Sequence, residues 1–272
     1  MSIYDPQPEL PVSEFNVTRL SSAIGATVTG FALRDCCEED AEEIRDLLAE
    51  HLVLIFPSQP LTATQHVAFA ANFGDLYIHP FLEAVPDHPA ILQVLKEPGD
   101  EATFGGEYWH CDISFEDPPA AVSLLHAKEI PPIGGDTLFA NQELAFSRLS
   151  PGLQDMLRGL SALHTYPDMA EDQENASSVH PVVRVHPRSG NESLFVNGAF
   201  VSRFEEMTVA ESKPLLEFLF QHQVRPEFQG RVSWEADSLV MWDNRATLHY
   251  AMNDYSGVRR RLERVTAMEP SA

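Results

Sequence analysis

Hydrophobic residues along this chain follow two different spacings. At residues 38–50 they recur on one face of a helix, with acidic residues at its start, where the helix dipole favours negative charge. Residues 52–56 are instead a continuous apolar run that ends at Pro57, which predicts a buried strand. Capping boxes at Thr62 and Thr208 indicate further helix starts. The predicted helices cover residues 38–50, 62–73, 142–149, 151–160 and 208–221.

Short apolar or alternating segments that are typical of strands outnumber the helices. The predicted strands cover residues 26–31, 52–56, 90–96, 120–130, 136–140, 182–185, 194–196, 228–233, 238–242, 247–251 and 261–267. Helices gather near the start and in the middle, without the regular strand–helix alternation of a parallel sheet. The pattern favours a mainly β protein, either a β-sandwich or a jelly roll, decorated by helices.

One domain is expected over residues 1–272, because the chain has no repeat, low-complexity tract or clear linker. The polar, proline-punctuated segment of residues 1–20 is expected to be a loose amino-terminal segment. Residues 168–179 lack hydrophobic periodicity and are expected to form a mobile insertion.

The chain carries 41 acidic and 18 basic residues, a net charge of −23. Such a field repels nucleic acid and anionic membranes, so neither is expected as a partner. An anionic substrate would need a local basic pocket. No signal-peptide pattern and no apolar run of transmembrane length is found, which indicates a cytoplasmic protein. Cys36, Cys37 and Cys111 lack a disulfide or zinc spacing and are expected to be reduced thiols.

Candidate chemistry begins at His110 and Asp112. If this segment is a strand, positions two apart face the same side, so both side chains can reach one ion. Alone the pair is a weak signal, because it also occurs on solvated surfaces. His249 lies in another predicted strand and completes a set of two histidines and one carboxylate. This set leaves three metal positions open, as in non-haem Fe(II) oxygenases, whereas a structural zinc site normally has four protein ligands.

A basic segment follows His249. In a strand, Arg260 and Arg264 would share one face, with Leu262 between them, and the neighbouring arginines would face the other way. Two guanidinium groups on a buried face indicate recognition of a carboxylate or sulfonate. A solvated basic edge strand is the alternative.

These residues and several short motifs together resemble the taurine dioxygenase family, the Fe(II)- and 2-oxoglutarate-dependent dioxygenases that include the 2,4-dichlorophenoxyacetate enzymes. The resemblance runs from about Ile24 to Thr266. It is carried by Trp109-His110-x-Asp112, Pro118-Pro119, Gly134-Gly135-Asp136-Thr137, His180-Pro181-Val182, Leu194-Phe195-Val196-Asn197, Trp242-Asp243-Asn244 and His249 through Arg264.

The resemblance implies a double-stranded β-helix (jelly roll) core with helices packed on one side. It implies Fe(II) held by His110, Asp112 and His249, with 2-oxoglutarate as co-substrate, held by Thr137 and Arg260, and O₂. Hydroxylation would release succinate and CO₂, and would split a C–S or C–O bond where the hydroxylated carbon bears the heteroatom. A homodimer or tetramer is also implied.

The resemblance assigns further residues to the substrate pocket. Arg264 matches the position that meets the substrate's anionic group, and His79 a pocket histidine. Leu82 and Gly106 stand where the taurine enzyme has a tyrosine and an asparagine, so the pocket is expected to be larger and less polar. An aryloxyalkanoate, an alkyl sulfate or a longer sulfonate therefore fits better than taurine. Phe200 matches an aromatic pocket position, with a plain core phenylalanine as the alternative.

Two other classes of function remain open from the residues themselves. A zinc- or manganese-dependent hydrolase could use the same triad, and so could a non-enzymatic jelly-roll binding protein. Among the other histidines, His51, His66, His88 and His222 are expected on solvated surfaces of helices or loops. His126 alternates on a strand and is expected to be a core or hydrogen-bonded histidine rather than a metal ligand.

Overall fold

A computed structural model of the chain describes residues 15–80, 82–102, 107–166 and 176–270. Within these ranges the strands are β1 (Asn16–Arg19), β2 (Ala26–Thr29), β3 (Val53–Phe56), β4 (Ala84–Val85), β5 (His88–Lys96), β6 (Ala120–Glu129), β7 (Thr137–Asn141), β8 (Ser161–Thr165), β9 (Ser177–Pro181), β10 (Val183–Val185), β11 (Glu192–Leu194), β12 (Val201–Phe204), β13 (Gln229–Val232), β14 (Leu239–Asp243), β15 (Thr247–Ala251) and β16 (Arg260–Met268). The α-helices are α1 (Glu38–His51), α2 (Ala63–Ala70), α3 (Gln142–Ser147), α4 (Pro151–Arg158) and α5 (Val209–His222).

An eight-stranded sheet forms the centre of the fold, in the order β1-β2-β3-β14-β6-β16-β5-β4. All its pairs are antiparallel except β2 with β3. A three-stranded sheet, β13-β7-β15, packs against one face of it. Phe139 and Val232 from the small sheet share an apolar cluster with Leu125, Val240 and Leu262 from the large one. Two mainly antiparallel sheets with a common core are the arrangement of a jelly roll.

Helices α1 and α2 cover the other face of the large sheet. Ile44 of α1 and Phe69 of α2 pack with Leu124, Met241 and Val265, which alternate with the residues that face the small sheet. Strand β6 is buried from Ala120 to Ala127 because both of its faces are covered. A second cluster joins α3, α4 and α5 to β8 and β12. No helix in the described ranges is long and apolar enough to span a bilayer.

Helix starts follow the sequence closely. Thr62 and Thr208 each accept a hydrogen bond from the backbone of the third helical residue, and the Gln65 and Glu211 side chains return to the cap backbone. Both predicted capping boxes are confirmed. The two helices predicted between residues 142 and 160 are also present, as α3 and α4.

Two segments are more ordered than expected. Residues 16–19 were assigned to a loose terminus but form β1, because β-branched Val17 and Thr18 continue the sheet by pairing with β2. Residues 177–179, assigned to a mobile insertion, pair with β8 as part of β9. Residues 1–14 and 168–175 lie outside the described residues.

The prediction of solvated histidines is wrong for three positions, because His51, His66 and His222 are all buried. Each lies on a helix face that packs inward, and His222 reaches the backbone oxygen of Ala145. His126 is fully buried, as predicted. The three cysteines are free, also as predicted.

Candidate active site

His110 and His249 are brought together by the backbone. They form an isolated antiparallel bridge, with hydrogen bonds of 3.1 and 2.8 Å exchanged between their amide and carbonyl groups. Their rings lie 4.1 Å apart between centroids. The expectation that Asp112 continues the same strand is wrong, because it lies in the turn that follows. The backbone amide of Asp112 donates a hydrogen bond to the Asn244 side chain, and this bond holds the turn next to the end of β14.

The three side chains form a group able to hold one metal ion. His110 Nε2 and His249 Nε2 lie 4.0 and 3.9 Å from Asp112 Oδ1, too far for hydrogen bonds. Atoms that bind one first-row metal at about 2.1 Å each cannot be more than about 4.2 Å apart. The donor set and its spacing therefore fit a metal ion.

Both histidines are held in the state that a metal requires. His110 Nδ1 lies 3.0 Å from the carbonyl of Tyr108, so it carries the proton and leaves the Nε2 lone pair free. Burial lowers the pKa of His110, and burial together with the nearby His110 lowers the pKa of His249 to about 3. Neutral imidazoles are therefore available at neutral pH.

Asp112 is oriented by a buried network. Its Oδ2 accepts a 2.6 Å hydrogen bond from Ser123, and Ser123 accepts one of 2.9 Å from Asn244. Burial alone would raise the pKa of Asp112, but Arg264, His249 and then His110 outweigh it and lower that pKa to about 2. Sequence reasoning missed Ser123, although a lone hydroxyl within an apolar strand was a usable signal.

A second group of polar residues lines the cavity beside the triad. Thr137 and Arg260 both border it, together with His110 and His249. Thr137 accepts a 3.0 Å hydrogen bond from the indole of Trp234, and the Arg260 guanidinium lies 5.9 Å from that ring. Sequence reasoning missed Trp234, because the chain between β13 and β14 carries no motif.

Arg260 is buried, and its Nε has no hydrogen-bond partner in the described structure. Burial lowers its pKa. Strand β16 lies between β6 and β5, so the alternative of a solvated edge strand is wrong. A buried guanidinium with an unused donor suits a bound carboxylate.

Arg264 connects the triad to a cleft of about 260 Å³. Its guanidinium donates to Asp112 Oδ1. The predicted pocket residues His79, Leu82 and Phe200 all line this cleft. Gly106 lies outside the described residues.

Aromatic side chains form much of the cleft wall. Phe115 packs at 4.8 Å from Tyr166 and 5.2 Å from Phe200, measured between ring centroids, and Tyr108 and Ile113 complete the lining. Phe200 is thus a pocket residue as well as a packing residue. Sequence reasoning missed Phe115 and Tyr166, since they come from separate loops that only the fold brings together.

His79 faces the same cleft. Its Nδ1 accepts a hydrogen bond from the amide of Leu82 at 3.2 Å, so the proton of the neutral ring lies on Nε2. Burial, assisted by the charge of Arg264, lowers the pKa of His79 to about 4. The ring is therefore neutral at physiological pH.

A jelly roll that holds two histidines and an aspartate beside a buried threonine and arginine defines a 2-oxoglutarate-dependent non-haem oxygenase. The chain belongs to the taurine catabolism dioxygenase TauD, TfdA family, whose model matches residues 16–266.

Individual relatives agree with this membership. The chain is 35% identical over 256 residues to the alpha-ketoglutarate-dependent 2,4-dichlorophenoxyacetate dioxygenase of Cupriavidus pinatubonensis, covering 85% of this chain and 89% of that protein. It is 32% identical to an alkylsulfatase of Acinetobacter baylyi, over 94% of this chain and 86% of that protein.

Solved structures show the same fold. A taurine dioxygenase from Burkholderia xenovorans superimposes with a TM-score of 0.83 at 35% identity, covering 94% of this chain and 90% of that one. AAD-2 in complex with Mn(II) and N-oxalylglycine superimposes with a TM-score of 0.83 at 26% identity, over 94% of this chain and 98% of that one. The predicted jelly-roll fold is confirmed. The chain is a dioxygenase that uses Fe(II), 2-oxoglutarate and O₂.

Proposed function

We propose that His110, Asp112 and His249 hold the Fe(II), and that Thr137 and Arg260 bind the distal carboxylate of 2-oxoglutarate. The spacing of the three donor atoms and the unused Nε of Arg260 support these assignments. When bound, the iron would let O₂ act as the oxidant: two electrons would come from 2-oxoglutarate, which gives succinate and CO₂, and two from the substrate carbon, which is hydroxylated.

The protein's own residues position the reactants. Ser123 and Asn244 fix the Asp112 carboxylate, so that it need not reorganise when an ion binds. Trp234 orients the Thr137 hydroxyl. The two apolar sheets exclude water around Arg260, which strengthens its attraction for a carboxylate.

The substrate is a small organic anion with an apolar body, and we propose an aryloxyalkanoate. The observation that carries this proposal is the cleft in which Phe115, Tyr166 and Phe200 surround an apolar space next to Arg264. Aromatic walls favour an aryl ring, and a guanidinium favours a carboxylate. An anion entering the cleft would compete with Asp112 for the donors of Arg264.

Hydroxylation of the carbon that carries the ether oxygen would give a product that collapses. The C–O bond breaks, the phenol leaves with a proton, and the carbon is left as a carbonyl. His79 lines the same cleft as Arg264. We propose that its neutral ring contacts the substrate anion as a hydrogen-bond donor.

The first test separates the site from its alternatives. Wild-type protein mixed anaerobically with Fe(II) and 2-oxoglutarate should give the weak visible charge-transfer band of a chelated keto acid. Asp112→Ala and Arg260→Ala should abolish it. Asp155→Ala and Arg158→Ala, which alter an exposed ion pair, should keep it. Absence of the band in folded, iron-loaded wild type would refute the proposal, and activity without O₂ or 2-oxoglutarate would favour a metal-dependent hydrolase.

The second test concerns the substrate. Aryloxyalkanoates, alkyl sulfates and sulfonates should be compared for the succinate release that they stimulate. We expect the largest kcat/KM for an aryloxyalkanoate, and a preference for alkyl sulfates or sulfonates would overturn that choice while leaving the iron site intact.

Family membership also leads us to propose a homodimer or tetramer, which light scattering measures directly.

A further inference from the structure

A second group of possible metal ligands lies on the opposite face of the large sheet. His66 of α2, His126 of β6 and Glu263 of β16 place their donor atoms within 4.8 Å of one another. His126 and Glu263 are direct cross-strand partners in the β6–β16 pair. Their chain neighbours Leu125 and Arg264 line the active-site cavity instead. The sheet therefore separates this group from the active site.

The histidine nitrogens in this group are buried and largely unused. His66 and His126 have no exposed surface. Neither ring nitrogen of His66 has a hydrogen-bond partner in the described structure, and neither does Nδ1 of His126. The two rings meet edge to face at 5.6 Å. Buried polar atoms normally have partners, so three unused nitrogens in one place point to a ligand.

His126 is already prepared to bind an ion. Its Nε2 lies 2.8 Å from the carbonyl oxygen of Gln59. A carbonyl can only accept, so Nε2 carries the proton and Nδ1 has a free lone pair. A backbone carbonyl that fixes a ligating histidine in this way is usual around metal sites. Burial lowers the pKa of His66 to about 3, so this ring is also neutral at physiological pH.

Glu263 supplies the charge. Its Oε1 accepts a 2.9 Å hydrogen bond from Arg261, and its Oε2 lies 3.5 Å from the ammonium of Lys128. These two cations would repel a metal ion. Lys128 has a second acceptor in the backbone oxygen of Leu61 at 3.1 Å. A metal ion could therefore replace the long Lys128 contact without leaving Lys128 unpaired.

We propose that His66, His126 and Glu263 form a second, buried binding site for a divalent transition metal, with Zn²⁺ as its best match. Imidazole and carboxylate are both ligands of Zn²⁺, and because the protein supplies only three of them, a water would occupy the fourth position rather than a fourth side chain. The ion would tie helix α2 to the two central strands β6 and β16, one of which carries Arg260 and Arg264. It would have no part in the oxidation.

The experiment counts zinc in a protein whose active-site ligands are removed. Chelator-stripped Asp112→Ala/His249→Ala protein is dialysed against Zn²⁺, and bound metal is measured by mass spectrometry. We expect one Zn²⁺ per chain. Adding His66→Gln, or in a separate variant Glu263→Gln, should remove it. Adding His222→Gln, a buried histidine in another cluster, should leave it bound.

Thermal unfolding supplies an independent readout. Zn²⁺ should raise the Tm of the Asp112→Ala/His249→Ala protein but not that of the same protein with His66→Gln, because only a ligand bound to the folded state stabilises it. The inference is overturned if the double variant binds no zinc, or if the His66→Gln and Glu263→Gln versions bind as much as their parent. Either result would leave the active-site proposal unaffected, because that site is absent from the tested protein.

Discussion

At the scale of single residues, the clearest feature is Arg260. It is buried between two sheets, beside the indole of Trp234 and Gly135, and its Nε finds no hydrogen-bond acceptor among the described residues. Leaving a charged group without full hydrogen bonding inside a protein is costly, and a ligand carboxylate removes that cost. Lys cannot replace Arg here without losing the planar pair of donors.

Arg260→Lys is expected to raise the KM for 2-oxoglutarate by about 10- to 100-fold, the equivalent of one charged hydrogen bond worth about 1.5–3 kcal/mol. Initial rates of succinate formation against 2-oxoglutarate concentration measure it. The exposed Arg158→Lys serves as the control. An unchanged KM for 2-oxoglutarate in Arg260→Lys would contradict the proposed role.

His164 gives a prediction about pH. It is fully buried, and burial, followed by the nearby His180 and Arg184, lowers its pKa to about 3, against an ordinary value of 6.5. Between these values only the unfolded chain binds this proton. The contribution of His164 to stability is therefore complete above pH 6.5 and is lost as the pH falls towards 3.

The free energy of unfolding should therefore fall between pH 6.5 and 4.5 by up to about 1.4 kcal/mol per pH unit for each such histidine. In His164→Phe the ring cannot bind a proton. The free energy of unfolding should therefore depend less steeply on pH, by up to about 1.4 kcal/mol per pH unit. Urea unfolding of chelator-treated proteins at several pH values measures both slopes. Equal slopes would mean that His164 is protonated in the folded state.

At the scale of elements, the turn before β7 lies against Arg260, in the cavity proposed to hold 2-oxoglutarate. Gly135 has a φ of +73°, and a Cβ placed on it would lie 3.1 Å from Nε of Arg260 and 3.1 Å from the ring of Tyr255. Its amide donates to Asp254. The turn therefore needs glycine both for its backbone conformation and for the close approach of Arg260.

Gly135→Ala should lower stability by about 1–2 kcal/mol from the left-handed backbone and should also weaken 2-oxoglutarate binding by displacing Arg260. Gly190→Ala is a matched control, because Gly190 has a φ of +74° and, among the described residues, no atom lies within 4 Å of the added Cβ. It should lose similar stability and keep its affinity. Unfolding curves and 2-oxoglutarate titrations compare the two, and equal affinities would exclude a role for the contact.

At the scale of the whole molecule, a strongly acidic protein encloses a small basic interior. The net charge is −23, yet Arg260 and Arg264 lie at the two cavities that flank the triad. The outer field repels dianionic 2-oxoglutarate over a distance set by the Debye length, which shrinks from about 30 Å at 0.01 M salt to about 10 Å at 0.1 M. Salt screens the attraction between the buried arginines and a bound anion much less.

The kcat/KM for 2-oxoglutarate should therefore rise as NaCl is increased from 10 to about 100 mM, since salt screens the outer repulsion first. The kcat/KM for uncharged O₂, measured in the same buffers, should stay constant. A steady fall for 2-oxoglutarate from the lowest salt would show that the local arginines, not the net charge, dominate its approach.

Site residues could be predicted from the sequence where their spacing along one strand determines which way their side chains face. Arg260 and Arg264 share a face because side chains alternate along a strand, and in β16 both line the same cavity. Asp112 faces His110 for a different reason, a turn held by Asn244, which no local pattern indicates.

Residues whose role depends on packing could not be predicted. Phe115, Tyr166 and Trp234 meet the site from separate loops, and any aromatic residue is equally compatible with an ordinary core. His66 was expected in solvent, yet α2 turns it into the sheet. Helical periodicity shows which residues share a face, but the partner of that face is set only by tertiary structure.

Strand β16 has a consequence for how this enzyme can change. Its inward side carries Arg260, Leu262 and Arg264, and its outward side carries Arg261 and Glu263. An insertion of one residue before Arg260 that shifted the pairing by one position would exchange the two sides and put Glu263 in the place of Arg264. A carboxylate would then replace a guanidinium next to Asp112, and the cavity would repel the anions it now attracts. Insertions and deletions in β16 should therefore be tolerated far less well than substitutions.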